Sequence, residues 1–399
     1  MAETRDNDIV LASPVRTPIG KFMGILSPLS AADLGTAAAT AALQRAGLDP
    51  ARVDQVIFGH GRQAGGGPNT ARQIGYRAGV PVDRPAFTVN QACASGLQSV
   101  LSAARTILTG EAEVILAGGT ESMSNTPYLL PRARTGYRMG HAEIVDGMYR
   151  DGFNDPLSQL VMGETAEELA VESGIDRAAS DEYALESQQR CERARAAGRF
   201  EPEIVPVTVA GRKGETVVEK DEHPRDGATL ASLAKLEPVF RKGGAVTAGN
   251  ASGITDGAAA IVVASRRAAK DLGLPIVARL VGWEVVGVDP RIMGIGPVPA
   301  VQKLLARTGL DLGAIDEMEL NEAFACQVLA CVKGLGMGTE TVNVDGGAIA
   351  LGHPIGATGT RILVTLLHGM EKRGLQRGVA TLCVSGGMGV AALVEREAA

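Results

Sequence analysis

The sequence predicts an α/β protein in which one strand-and-helix unit is written twice, with a polar segment inserted into the first copy. Three observations carry this. The 399 residues are 45% hydrophobic and 21% charged, enough for a large core spread over two or three domains. Apolar β-like runs alternate with stretches of helical periodicity, which implies mostly parallel sheets covered by helices. The same order of elements then recurs in the second part of the chain.

In the first copy Leu34, Ala38, Ala41 and Ala42 mark a helix stopped at Gly47. Arg45-Ala-Gly-Leu-Asp49 leads into the short strand Val53-Asp-Gln-Val-Ile-Phe58. Another β-like run ends at Val89-Asn90, followed by a glycine-containing turn and a helix with the apolar stripe Leu97, Val100, Leu101, Ala104, Ile107 and Leu108. Val114-Ile-Leu-Ala117 ends the copy before Gly118-Gly119. The second copy runs in the same order: Val301, Leu304 and Leu305 with Gly309; Arg307-Thr-Gly-Leu-Asp311; Ile315-Asp-Glu-Met-Glu-Leu320; and Val342-Asn343. The stripe Ile362, Leu363, Leu366, Leu367 and Met370 follows, then Val379-Ala-Thr-Leu-Cys-Val384 before Gly386-Gly387. Residues 121–249 are polar, rich in Arg and Glu, with one helix around 165–191 whose acidic part reads as a solvated face. The expected division is 1–120 completed by 250–272, an inserted loop domain at 121–249, and a second half at 273–399.

Charge and cysteine usage narrow the function. A net charge of −6 without any Lys or Arg run excludes a phosphate-backbone footprint, so no nucleic acid is expected. Five cysteines, an odd number with no CxxC pair, suggest neither a disulfide framework nor a metal site, and fit a reducing compartment. Residues 1–8 are polar and acidic, and no apolar run is long enough to cross a bilayer, so a soluble, cytoplasmic protein with no membrane partner is expected.

Cys93, in Asn90-Gln-Ala-Cys-Ala-Ser-Gly96, follows a strand and opens a helix, where free N–H groups and the helix dipole favour a thiolate. A lone cysteine is more often a small buried hydrophobe, and position alone does not decide between the two. His353 stands in Gly346-Gly-Ala-Ile-Ala-Leu-Gly-His-Pro-Ile-Gly356, a loop whose glycines and proline hold a base or oxyanion donor rigidly. His60, His141, His223 and His368 have weaker settings. Asn321 and Glu322 end one strand and Cys383 another. Cys93, Asn321, His353 and Cys383 therefore fall at or beyond carboxyl ends of strands, the edge where open α/β sheets bind ligands. Gly59-His-Gly61-Arg-Gln-Ala64 resembles a dinucleotide fingerprint, but Gly65-Gly-Gly67-Pro68 spoils a helix start and the segment reads as an ordinary loop.

These residues resemble the thiolase family along nearly the whole chain. Val89-Asn-Gln-Ala-Cys-Ala-Ser-Gly-Leu97, Asn321-Glu-Ala-Phe-Ala325, the Gly346–Gly356 segment and Cys383-Val-Ser-Gly-Gly-Met-Gly389 match its signatures in order. The resemblance implies duplicated α/β halves with mixed five-stranded sheets in an αβαβα arrangement, plus a loop domain over the coenzyme A site. It implies Cys93 as the acylated nucleophile, His353 as its base, and Cys383 as the acid/base at the acetyl α-carbon. Asn321 would hold a water that forms one oxyanion hole with His353 Nε2; backbone N–H groups of Cys93 and Ser385 would form the other. Arg225, Ser232 and Ser252 would contact coenzyme A, and Met162, Ala323, Phe324 and Met293 would line the tunnel. Coenzyme A is then substrate and product rather than a bound cofactor, and the implied assembly is a homotetramer built from dimers.

The likeness leans toward acetyl-CoA acetyltransferases, with degradative 3-ketoacyl-CoA thiolases as the alternative. Ser385 replaces a glycine usual in the last motif, harmless only if its φ is ordinary. Val161 stands where many short-chain members have histidine. A ketoacyl synthase is disfavoured because Cys383 occupies the place of its second histidine; a cysteine hydrolase and a non-catalytic coenzyme A binder are the remaining readings.

Overall fold

The computed structural model describes residues 6–211 and 214–397. The first half supplies strands β1 (Ile9–Arg16), β2 (Gln55–Gly59), β3 (Ala86–Val89), β4 (Val114–Ser122) and β5 (Thr255–Ser265); the second supplies β6 (Ile276–Gly287), β7 (Glu317–Leu320), β8 (Arg377–Val384) and β9 (Met388–Arg396). Their order is β7-β8-β9-β6-β1-β5-β4-β2-β3, with Gly20–Lys21 paired to β5. The halves mirror one another across the β1–β6 seam, where Val10, Leu11 and Ala12 face Arg279, Ala278 and Ile276. The counterpart of β3 in the second half is a single parallel bridge, Met318 to Val342.

The expectation of mostly parallel pairing is corrected. Only β2–β3, β2–β4 and β7–β8 are parallel; β5 and β9 run antiparallel to the strands beside them. The reason lies in the connections: β8 returns to β9 through the tight turn at Ser385–Gly387, and β5 arrives after the insertion instead of after a crossover helix. The result is a mixed sheet.

Helices α1 (Ala31–Ala46) and α2 (Thr70–Arg77) bury Leu34, Ala38, Ala42 and Ile74 on the outer face of the first half. Between the halves lie α3 (Ser95–Leu108) and, further along the chain, Ile355–Arg373; their stripes share one core with Ile115 of β4 and Leu382 of β8. Leu108, placed in that stripe from sequence, is instead 57% exposed, because the helix ends there and its last turn has left the interface. Pro297–Thr308 and Ala325–Leu335 cover the outer face of the second half. Five layers result, helices and sheets alternating. The middle layer is held by backbone contact: a Cβ on Gly119 would lie 2.2 Å from the carbonyl oxygen of Gly356, so no larger residue fits.

In the insertion, the single helix expected around 165–191 is two, α4 (Met162–Ser173) and α5 (Arg177–Ala196). Gly174 closes the first at φ 65° and the Asp176 side chain caps the second by accepting from the Ala179 N–H. Nor is the acidic face wholly solvated. Buried Glu167 accepts the N–H groups of Ala245 and Val246, and Asp181 accepts from Asn250 Nδ2, fixing the 245–250 segment. With the remaining helices of the second half numbered α6 (Pro297–Thr308), α7 (Ala325–Leu335) and α8 (Ile355–Arg373), α5 also ties to the second half: Tyr183 and Ser187 donate to Glu322. No helix of the described residues is long and apolar enough to cross a membrane.

Candidate active site

Cys93 is delivered by a strained turn. Between β3 and α3 the chain passes through Ala92 with φ +45°, a left-handed conformation that costs a residue with a Cβ about 1 kcal/mol or more. Asn90 Oδ1 accepts the Ala92 N–H, and Ser95 Oγ both accepts from Gln91 N–H and donates to the Ala92 carbonyl, so the turn is closed from both sides. Cys93 is thereby presented to a cavity of ≈ 560 Å³ whose wall also contains His353, Cys383 and Ser385. Two thiols and an imidazole from distant parts of the chain meet there.

His353 follows Gly352, which has φ +102° and sits against the Thr255 side chain, 2.4 Å from where a Cβ would stand. The preceding glycine-rich segment, read as an irregular loop, contains a buried turn of helix at Ala348–Leu351. Nδ1 of His353 lies 2.6 Å from Thr358 Oγ1, and that hydroxyl donates its one hydrogen to the Pro354 carbonyl at 3.0 Å. With that hydrogen directed to the carbonyl, the hydrogen-bond network assigns the imidazole proton to Nδ1 and the lone pair to Nε2. Nε2 is buried and has no partner among the described residues. Burial pushes the imidazole down to about 3, with the charges of Arg361 and Arg62 acting in the same direction. The ring is thus neutral and poised to accept a proton.

The expected thiolate at Cys93 is corrected. Burial in the apolar wall pushes the thiol up from its ordinary value, while the charge of Arg62 and the N–H groups of Ser385 and Cys93 act against it. Desolvation is the largest influence on this thiol, which sits in a single 3₁₀ turn, Ala92–Ala94, ahead of α3. Cys383, buried in β8, is pushed well above the ordinary range by burial and by its proximity to Cys93. Both sulfurs are neutral at rest and need a base.

Ser385 is not among the positive-φ residues; Gly386 at +86° and Gly387 at +82° carry the left-handed turn, so the serine is accommodated without backbone strain. Its N–H points at Cys93. Met162, Ser252, Ala323, Phe324, Met293 and Arg225 all line the cavity, as does Val161, but Ser232 does not. Ser232 is exposed and spends its hydroxyl in a cap with Thr229. Asn321 is also off the lining; it is 1% exposed, with Oδ1 and Nδ2 both unpartnered.

Several residues of the site escaped the sequence reading. The loop after β2, dismissed as ordinary, puts Arg62 on the cavity wall and His60 behind it. His60 Nε2 lies 3.2 Å from Glu121 Oε1 and its Nδ1 2.8 Å from Thr70 Oγ1. Glu121 in turn accepts the N–H groups of Gly61, Arg62 and Gly356 and holds three segments of the site together. Its burial raises the carboxyl, and His60 and Arg62 overturn this and keep it below the usual range. The signal was available: this loop leaves the carboxyl end of a strand, like the segments that carry Cys93 and Asn321. Lys21, Phe22, Tyr149, Phe153 and His223, also on the wall, carried no such signal.

Two neighbouring thiols, a neutral imidazole and converging backbone N–H groups on a doubled α/β frame are a set suited to acyl transfer on thioesters. Residues 9–267 match the thiolase N-terminal domain and residues 274–396 the thiolase C-terminal domain, and the chain belongs to the thiolase family of acyltransferases. It is most like the acetyl-CoA acetyltransferases: it is 51% identical to the one from Cupriavidus necator over 98% of this chain and 100% of that one. The crystal structure of the Bacillus anthracis acetyl-CoA acetyltransferase superposes with a TM-score of 0.96 at 46% identity, covering 98% of this chain and 99% of that one. Human mitochondrial 3-ketoacyl-CoA thiolase in complex with CoA gives 0.95 at 43% identity, with 98% of each chain covered.

Proposed function

We propose that this thiolase joins two acetyl-CoA molecules into acetoacetyl-CoA and CoA, and cleaves acetoacetyl-CoA in the reverse direction, through an acyl-Cys93 intermediate with ping-pong kinetics. The observation that carries it is the meeting of Cys93, His353 and Cys383 on one cavity wall, with His353 in the tautomer that leaves Nε2 free. His353 takes the Cys93 proton, Cys93 attacks the thioester, and CoA departs before the second substrate enters. CoA leaves as its thiol by taking the Cys383 proton, and the Cys383 thiolate so formed removes the α-proton of the second acetyl-CoA, whose C2 attacks the acyl carbon while His353 returns its proton to the departing Cys93 sulfur.

Each anion on this path needs donors. The N–H groups of Cys93 and Ser385 serve one oxyanion; a water held by the unpartnered Asn321 amide, with His353 Nε2, serves the other. Each donor contributes on the order of 3 kcal/mol to lowering the barrier. The exposed Arg225 at the mouth suits the phosphates of CoA, Ser252 suits the pantetheine, and Met162, Met293, Ala323 and Phe324 sheathe it. In this reading residues 121–249 are the cover over CoA, 1–120 with 250–272 and 273–399 are the two halves, and the protein is a cytoplasmic dimer of dimers. The edge strand β3 with exposed Phe87, and exposed Tyr128, Leu130, Met139 and Ile144, support self-assembly.

The test is to mix the protein with acetoacetyl-CoA and CoA and measure acetyl-CoA, with Cys93→Ala as control. Cleavage by the wild type alone is the expected result; equal turnover by both ends this mechanism. A second reading, degradation of longer 3-ketoacyl-CoA, is favoured by Val161 on the wall and by the likeness to 3-ketoacyl-CoA thiolase. A higher kcat/KM on longer unbranched chains than on acetoacetyl-CoA would select it.

A further inference from the structure

We infer that Arg62 binds an anionic group at the far end of the acyl chain, so that this enzyme also processes CoA thioesters of short dicarboxylic acids. The inference rests on the thiolase reading above and adds a substrate class for the same cavity.

Arg62 lines the cavity together with Cys93, His353 and Cys383 and is only 7% exposed. Its Nε is sealed from solvent without a partner, and neither Nη nitrogen makes a hydrogen bond or ion pair with any described residue. A guanidinium cannot shed its proton, and a buried charge is retained in proteins where something pairs with it. Glu121 attracts that charge through space but forms no direct ion pair or hydrogen bond with it: its oxygens are committed to three backbone N–H groups and His60.

Nor is the CoA phosphate the natural partner. The cations suited to a hydrated phosphate, Lys21 and Arg225, are exposed, whereas Arg62 is buried on the wall it shares with Cys93, near enough for its charge to act on that thiol. Beside Cys93 pack Met123, Phe153 and Ile355, an apolar sleeve. The Arg62 guanidinium rests on the backbone of Gly152, where a Cβ would lie 2.3 Å from both Nε and Nη2. Apolar walls with one unpaired cation match an acyl chain of methylene groups ending in a carboxylate.

The chemistry places that carboxylate on the correct side. In thiolysis the Cys93 sulfur, having given its proton to His353, bonds to the 3-keto carbon. The C2–C3 bond breaks, its electron pair stays on C2, and C2 takes the Cys383 proton to leave as acetyl-CoA. The acyl group retained on Cys93 bears the far carboxylate, beside Arg62. The CoA thiol then attacks the same carbonyl, the bond to Cys93 breaks, and the protons return to the two cysteines.

The experiment compares kcat/KM for the 3-keto thioester of a short dicarboxylic acid with that for its ω-methyl ester, alongside acetoacetyl-CoA. The acid-to-ester ratio cancels any general effect of Arg62 on Cys93. In the wild type the ratio should exceed one, and Arg62→Leu should lower it by at least about tenfold, since a site built to bond a polar group rejects its absence strongly. Arg62→Lys should restore part of it. Gly152→Ala should lower it by a separate route, because its methyl displaces only the movable end of a side chain. A wild-type ratio of one or below, or a smaller change in Arg62→Leu, overturns the inference and leaves the guanidinium serving Cys93 alone. Failure of the wild type to cleave acetoacetyl-CoA would instead defeat the parent reading.

Discussion

Replacing Thr358 by valine should disable His353 without touching any reacting group. Valine keeps the shape but removes the acceptor for His353 Nδ1–H among the described residues, a contact of 2.6 Å between two buried side chains. Two responses are open to the ring. It keeps the proton on Nδ1 and leaves a buried donor unpaired, or it moves the proton to Nε2 and presents Cys93 with a donor where it needs a base. Leaving a buried donor unsatisfied costs about 1–3 kcal/mol. At about 1.4 kcal/mol per factor of ten, kcat/KM should fall between about 5- and 150-fold. Thiolysis of acetoacetyl-CoA, followed by loss of its enolate absorbance, measures this, and the rate of Cys93 alkylation by iodoacetamide near neutral pH should fall with it. Thr358→Ser keeps the hydroxyl and should stay within about twofold of wild type. A Thr358→Val enzyme with wild-type kcat/KM, or a serine variant as slow as the valine one, refutes the tautomer assignment.

Further outcomes concern stability and the departures from the family pattern. His353 is pushed down to about 3 from 6.5, so below pH 6.5 the unfolded chain takes up a proton that the folded one refuses. Its contribution is therefore present near neutrality and lost as pH falls from 6.5 toward 3, by up to about 1.4 kcal/mol per pH unit. Urea unfolding at pH 7 and pH 5 should show a shallower acid loss in His353→Asn; identical slopes would contradict the assignment. Arg16→Met should cost about 3–5 kcal/mol in the same assay at pH 7. Fully buried Arg16 is the shared partner of Glu203 at 2.5 Å and Asp221 at 2.6 Å, tying β1 to the insertion, and its loss strands both carboxylates. A change below about 1 kcal/mol would show that water reaches the cluster. Ser385→Gly should leave kcat within about threefold and lower stability by no more than about 1 kcal/mol, because only the backbone N–H is used and φ is ordinary. A large loss of kcat would mean that the serine hydroxyl takes part.

Much of the frame was legible because it is a local matter. The stripes of α1, α3 and α8 and the glycine stops at Gly47 and Gly309 are periodicities read along one segment, and duplication made each half check the other. Cys93, His353 and Cys383 stood out because turn chemistry surrounds each of them. Pairing direction was hidden: β5 returns from the insertion and β9 from a hairpin, and hydrophobic patterning does not encode which way a neighbouring strand runs. The split of α4 from α5 hung on one glycine between two helical patterns of the same period.

The sequence by itself determined the doubled α/β plan and singled out the Cys93 segment and the glycine-bounded loop of His353 as candidates, since each is read from residue type and spacing within a short stretch. Only the tertiary structure decided protonation, pairing and neighbourhood. Burial keeps Cys93 and Cys383 as thiols, Thr358 sets the His353 tautomer, Glu121 clasps two loops to its own strand, and Arg62 has no hydrogen-bond partner among the described residues. Those properties are electrostatic sums over groups distant in the chain, and they acquire values only when folding removes water and fixes the distances.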